Sequence, residues 1–304
     1  MARKLAEMDR PLSVLEERVA ATTGPARGRA LLAYGAALVA EGRPTAALEA
    51  AKVAQRIFSE VSSPTGMASA YRLAGVALHA LGRTEEAEEG LRLARRIFAE
   101  MGRQAGAARC DHDLADVLRT LGRYEDALER LREAWRAFRV IGRERAGAVC
   151  EHNTAVVLHA LGRAEEAAGS LRSARSRLSR TGPADAAATC EFNLGIALHD
   201  LGRLEEAAGC YERAVERFDA AEMEAEAAAA EQNRAVVLFT LGELERARTA
   251  LQRARARFGE AGTELDVAEC DHNLAVVLQG LGAHDEAAAR AEAARTVFRA
   301  AGRH

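Results

Sequence analysis

One interval constrains this chain more than any other property. Glycine returns every forty residues, at Gly42, Gly82, Gly122, Gly162, Gly202, Gly242 and Gly282, with no insertion or deletion between them. The text around it returns as well: residues 192–218, FNLGIALHDLGRLEEAAGCYERAVERF, read as two short helices joined by the turn LGR. A helical pair of that size cannot bury its own apolar face, so tandem copies must stack on their neighbours. The period therefore predicts an all-α solenoid. Although 304 residues suffice for two ordinary domains, the unbroken repeat argues for one array of seven helix pairs over residues 26–304. Residues 1–25 are then an N-terminal cap and entry loop.

Within each pair the first helix ends at the LG turn, where glycine supplies the backbone freedom that closes a helix. The second helix opens on acidic residues, as in Glu85-Glu86, Glu125-Asp126, Glu165-Glu166, Glu205-Glu206 and Asp285-Glu286. Carboxylates in a first turn complement the helix dipole. Their recurrence marks them as helix starts and argues against a catalytic pair. A small residue, an apolar one, Ala and an aromatic follow at helical spacing (Ala207, Tyr211, Ala214 and Phe218; Ala127, Leu131, Ala134 and Phe138), which predicts one face turned into the stack. A second turn glycine marks the junctions at Gly102, Gly142, Gly182 and Gly262. The fifth-to-sixth junction, AAEMEAEAAAAEQN, lacks it, which leaves the chain free to run on as helix, and a stiffer or differently angled junction is expected there. Leu12, Leu15 and Val19, after Pro11, predict a short helix covering the first pair, and TTGPARG at 22–28 reads as the entry loop.

The interior of such an array must be mostly Ala, Leu and Val, because the chain is 49% hydrophobic but only 4% aromatic. Its 42 basic and 45 acidic residues alternate along the helices, leaving no basic stripe for nucleic acid. No apolar run nears the roughly 18 residues of a membrane span, and MARKLAEMDR leads into no signal-peptide core. A cytoplasmic location is expected. Four of the five cysteines share one register, Cys110, Cys150, Cys190 and Cys270. Packed helices lie about 8–10 Å apart, beyond the roughly 7 Å that a disulfide allows between Cα atoms, so this column is expected to hold thiols.

With these residues in view, NLGIALHDLGRLEEAAGCYERAV resembles a tetratricopeptide repeat, with Gly195, Ala207, Tyr211 and Ala214 in the family's small-small-aromatic-small places. The resemblance spans roughly residues 26–303. Two departures stand out: the period is forty rather than about thirty-four, and the helix-one Trp and closing Pro are absent, the one Trp being Trp135 on a second helix. The longer period is similar to that of cell-polarity scaffolds of the Pins/LGN type, kinesin light chains and bacterial regulatory arrays. The resemblance implies a right-handed superhelix whose first helices line a concave groove. It implies protein or peptide binding, and no reaction.

The helical wheel separates buried from open residues on the first helices. With His152 at zero and about 100° per residue, Cys150, Val157, Leu158 and Leu161 fall on one arc, and His152, Asn153, Val156 and His159 on the other. The open arc in other repeats holds His112, Asp113, Asp116 and Arg119; Phe192, Asn193 and His199; Asn233 and Phe239; His272 and Asn273. These are the candidate peptide-binding residues. The column Asp113, Asn153, Asn193, Asn233, Asn273 leads the set, because side-chain amides are disfavoured inside helices and can pair with both C=O and N–H of a peptide. Asparagine ladders grip peptide backbones in tetratricopeptide proteins, and the resemblance implies the same use here; the plainer reading is that each amide fixes packing against an adjacent helix. Cys-Asp-His and Cys-Glu-His triplets invite a metal. Residues two apart on a helix diverge by about 200°, however, so each triplet cannot close on one ion.

No GxxxxGK[ST], GxGxxG, HExxH or GxSxG occurs, and every notable residue recurs, whereas catalysis needs one asymmetric constellation. The sequence thus reads as a non-enzymatic adaptor without cofactor or metal, holding a partner protein segment. Two alternatives are a regulatory sensor that changes pitch on binding a peptide or small ligand, and self-assembly through the last helix at 284–301. Homo-oligomerisation is not indicated, since Ala287, Ala294 and Phe298 match the internal stripe.

Overall fold

The computed structural model describes residues 12–182 and 184–302, so residues 1–11 of the expected cap lie outside them. Fifteen helices are described and no strand: α1 Leu12–Ala20, α2 Gly24–Ala40, α3 Pro44–Glu60, α4 Pro64–Ala80, α5 Thr84–Glu100, α6 Gln104–Thr120, α7 Tyr124–Val140, α8 Glu144–Ala160, α9 Ala164–Thr181, α10 Ala184–Asp200, α11 Leu204–Ala220, α12 Glu224–Thr240, α13 Leu244–Ala261, α14 Glu264–Gly280 and α15 His284–Ala300. The period is built from these lengths. Helices of 17 residues alternate with three-residue turns, as in α4, residues 81–83, α5 and residues 101–103. Even-numbered helices from α2 to α14 are the first members of the pairs, and odd-numbered helices from α3 to α15 the second. The chain forms two compact units, Met1–Cys150 and Glu151–His304.

In the first unit α1 lies on α2 with Leu15 buried, while Leu12 and Val19 reach the core clusters of the first pairs. The entry loop is shorter than the sequence suggests. Helix α2 already begins at Gly24, because Pro25 fits a first helical turn, where its missing N–H costs nothing. At the LGR turn Gly82 takes φ 76°, and the N–H of Arg83 closes on the carbonyl of Leu78 at 2.9 Å. The arginine of that turn also clamps the acid three residues on: Arg83 Nε and Nη2 donate to Glu86 at 2.7 and 2.6 Å. Arg123 does the same for Asp126, and in the second unit Arg163 for Glu166 and Arg203 for Glu206. Both halves of the LGR–acid motif thus start the second helix.

The second-helix stripe is buried as the spacing requires, with Ala127, Leu131, Ala134 and Phe138 in one unit and Ala207, Tyr211, Ala214 and Phe218 in the other each at most 4% exposed. Small first-helix residues let these large side chains in. A β-carbon on Gly195 would stand 2.7 Å from the ring of Tyr211, and one on Gly106 2.5 Å from that of Phe98. On α15, Ala287 and Ala294 are buried. All five cysteines are buried thiols, and burial pushes Cys110, Cys190 and Cys270 up to about 12, beyond useful nucleophilicity.

The fifth-to-sixth junction departs from expectation. Helix does not run on: α11 stops at Ala220, Glu222 adopts the left-handed φ of 55° usually left to glycine, and the N–H of Met223 closes on Phe218 O at 3.0 Å. The cause lies on α13, where Arg257 reaches Asp219 before the turn and Glu224 after it. Packing of Phe218 with Ala227 and Met223 fixes the same bend. Tertiary contacts here override a helix-favouring run. Gly182, by contrast, keeps an extended backbone at φ −105°.

Candidate functional site

On the open face of α6, in the first unit, the sequence-predicted residues bind one another. Arg72 of α4 donates to Asp113 Oδ2 at 2.6 Å, and His112 Nδ1 lies 3.5 Å from Asp113 Oδ1. Burial opposes the charge of Asp113, but His112 and Arg72 outweigh it and hold the carboxyl below its ordinary value. Burial also works against protonation of His112, yet Asp113 and Asp116 leave it above its ordinary 6.5. Arg119 stands 3.9 Å from Asp116, and Thr120 approaches His79 of α4 at 3.5 Å.

In the second unit the amide column divides. Asn193 of α10 donates its amide to His152 Nε2 of α8 at 2.8 Å, and His152 Nδ1 meets Asn153 Oδ1 at 3.2 Å. Those two bonds require the neutral Nδ1–H imidazole, and burial duly lowers the His152 value below 6.5, the Asn153 bond opposing only in part. His159 meets Asp200 at 2.6 Å, with His199 3.8 Å from the same carboxylate. Phe192 is committed too, edge-on to Tyr211 with ring centroids 5.8 Å apart.

Further along, Asn233 of α12 and Asn273 of α14 hydrogen-bond to no side chain among the described residues. Both are half-buried, and His272 beside Asn273 is exposed. Val236 and Phe239 of α12 and Val276 of α14 are 39%, 37% and 40% exposed, and Gly280 of α14 leaves room beside the Phe239 ring. The structure therefore brings uncommitted amides and exposed apolar side chains together on α12 and α14.

The histidines give these two regions opposite pH responses. His112, raised in the fold, contributes stability that is complete below 6.5 and lost as pH rises through its folded value. His152, lowered in the fold, contributes stability that is present above 6.5 and lost as pH falls from there through its folded value. Hydrogen exchange at pH 7.5 and 5.5 should show α6 protection rising relative to α8 and α10 on acidification; equal shifts would contradict the assignment.

One column escaped the sequence reading. Asp111, Glu191, Glu231 and Asp271 are 2–4% exposed, each following the buried column residue, and Glu151 sits at the same register. Arg95 of α5 and Arg130 of α7 reach Asp111 at 2.6 and 3.3 Å; Arg175 of α9 and Arg213 of α11 reach Glu191; Arg255 of α13 and Arg290 of α15 reach Asp271. Ser173 of α9 donates to Glu151 at 3.0 Å. The acids of the Cys-Asp and Cys-Glu pairs thus tie each first helix to second helices. The signal was the recurring dipeptide, about 100° from the cysteine toward those helices.

Models described as Tetratricopeptide repeat match residues 66–139, 148–220 and 192–262. The chain belongs to the tetratricopeptide repeat family. A comparison with curated proteins finds no match. Among solved structures, BtubC from P. vanneervenii is 21% identical over 73% of this chain and 91% of that one, with a TM-score of 0.64. A Rap protein complexed with Competence and Sporulation Factor is 16% identical over 92% and 84%, TM-score 0.64. A signal transduction ATPase with a tetratricopeptide repeat sensor, from Pyrococcus horikoshii, is 15% identical over 98% of this chain but 46% of that one, TM-score 0.82. At these identities the likeness is one of fold. Within the tetratricopeptide pattern, Gly195 and Tyr211 meet as the family's small and large positions should. No helix among the described residues is long and apolar enough to cross a membrane.

Proposed function

We propose that this tetratricopeptide array is a non-enzymatic binding module that holds an extended segment of a partner protein on the first-helix face of α12 and α14. One observation carries the reading: Asn233 and Asn273 have no side-chain partner among the described residues, beside exposed Val236, Phe239 and Val276. The amides offer a donor and an acceptor to a peptide backbone, and the apolar side chains offer a seat for a hydrophobic residue. Asp113 and Asn193 hold adjacent first helices together, so the amide column is structural at one end and open at the other. The exposed His272 belongs to the open end, and His112, His152, His159, His199, Asp116, Arg119 and Phe192 to the supporting network. The sensor alternative draws support from the Pyrococcus protein, whose repeats are described as a sensor.

A random peptide library panned against the full chain tests the reading. Selected peptides should carry an apolar residue, and the double variant Asn233→Ala, Asn273→Ala should bind them ten-fold or more weakly while keeping its helical circular dichroism. Peptides that bind the variant as well as wild type would place the site elsewhere.

A further inference from the structure

The buried acids of the second unit form an internal control. Asp271 accepts from Arg255 Nε at 2.7 Å and Arg290 Nη1 at 3.0 Å. Glu231 occupies the same register on α12 and is 2% exposed. At the places of Arg255 and Arg290, forty residues earlier, stand Val215 and Ala250, neither of which can donate. The guanidinium nitrogens nearest Glu231 belong to Arg253 and Arg234, at 3.8 and 3.9 Å, outside hydrogen-bond reach. Glu231 Oε2 is buried with no donor on it among the described residues. The neighbouring arginines other than Arg253 are paired with other acids, Arg234 with Glu212 at 2.6 Å, Arg246 with Glu243, and Arg248 with Glu245 at 2.8 Å, while Arg234 Nε is buried without a partner among the described residues.

Where Ala250 stops short, a cavity of about 250 Å³ opens, walled by Glu231, Glu245, Thr249 and Ala250 and by three arginines, Arg234, Arg246 and Arg253. That is several times the roughly 30 Å³ share of one water. We propose that this cavity is a binding site for a guanidinium group, which takes beside Glu231 the place that Arg290 takes beside Asp271. The planar fork matches a carboxylate in two parallel bonds, which a compact ammonium does not. Thr249 and Glu245 supply further acceptors at the wall. Of the three wall arginines, Arg234 and Arg246 are paired with Glu212 and Glu243, and Arg253, the cation left to oppose entry, has a side chain 64% exposed with water to turn into. The guanidinium comes either from an arginine of a partner protein or from a free guanidino compound.

Isothermal titration calorimetry on the full chain separates these sources, with agmatine as the small probe and an acetylated, amidated Ala-Arg-Ala tripeptide as the other. At least one probe should bind one-to-one, and the citrulline version of the tripeptide should not. Binding of agmatine points to a free compound, and binding of the tripeptide alone to a partner's arginine. Glu231→Gln and Ala250→Arg should each weaken binding ten-fold or more, the second by supplying the chain's own guanidinium, with unchanged circular dichroism. The variant Asn233→Ala, Asn273→Ala should bind the probe as wild type does, which keeps this site distinct from the peptide face. The proposal is overturned if neither probe binds, if Glu231→Gln binds equally well, or if binding is seen only after Arg253→Ala, when the chain's own arginine closes the site.

Discussion

Replacing Asp271 by Asn is expected to destabilise the protein by about 3 kcal/mol, whereas replacing Glu231 by Gln, in the same register, should stabilise it by about 1 kcal/mol. Asp271 is buried and carries the hydrogen bonds of Arg255 and Arg290. Taking away its charge strands two guanidinium groups against a neutral amide, and removing one member of a buried ionic set costs far more than the set contributes. Glu231 pays for burial without the bonds. Burial raises its carboxyl above the ordinary 4.5, and Arg234 and Arg253 recover only part of the loss. An acid raised in this way penalises the fold wherever it is ionised, above 4.5, and the isosteric amide removes that penalty. Urea unfolding at pH 7 checks both signs; a loss of stability in Glu231→Gln would mean that Arg253 already closes on the carboxylate in solution.

What was legible in the sequence was whatever depends on neighbours along the chain. The forty-residue period, the LG turn, the first-turn acids and the second-helix stripe all arise within one pair, and each stands where the spacing put it. What was not legible depends on a residue one repeat away. Asn193 is tied because His152 stands forty-one residues before it; Asn233 is open because Phe192, which has no hydrogen-bonding group, stands at that distance. The same residue type in the same column therefore does two jobs. The acids after the cysteines were overlooked for a related reason: their partners lie on flanking second helices, at positions that hold Arg in some repeats and Trp, Val, Ser, Cys or Ala in others. The turn at Glu222 was hidden because Arg257, 35 residues on, braces both of its sides.

The second large effect is expected in the first unit, where Phe98→Ala should cost about 3–5 kcal/mol. Phe98 is 6% exposed and fills the space among Ala68 of α4, Ala94 of α5 and Cys110 of α6, with Tyr71 and Ile97 at the margin. Gly106 of α6 faces it so closely that a β-carbon there would sit 2.5 Å from the ring. Gly106→Ala alone should thus destabilise by about 1–3 kcal/mol through overpacking. In the Phe98→Ala background the sign reverses. The ring is gone, the new methyl occupies part of the cavity, and alanine is better than glycine in a helix by roughly 0.5–1 kcal/mol. The four proteins form a double-mutant cycle read from urea midpoints, and the coupling should exceed about 1 kcal/mol. Because each repeat touches only its neighbours, hydrogen exchange in Phe98→Ala should show protection lost first in α4, α5 and α6. Additive single effects would mean that the ring does not press on Gly106, and that small first-helix residues are not what admits the large side chains of the stack.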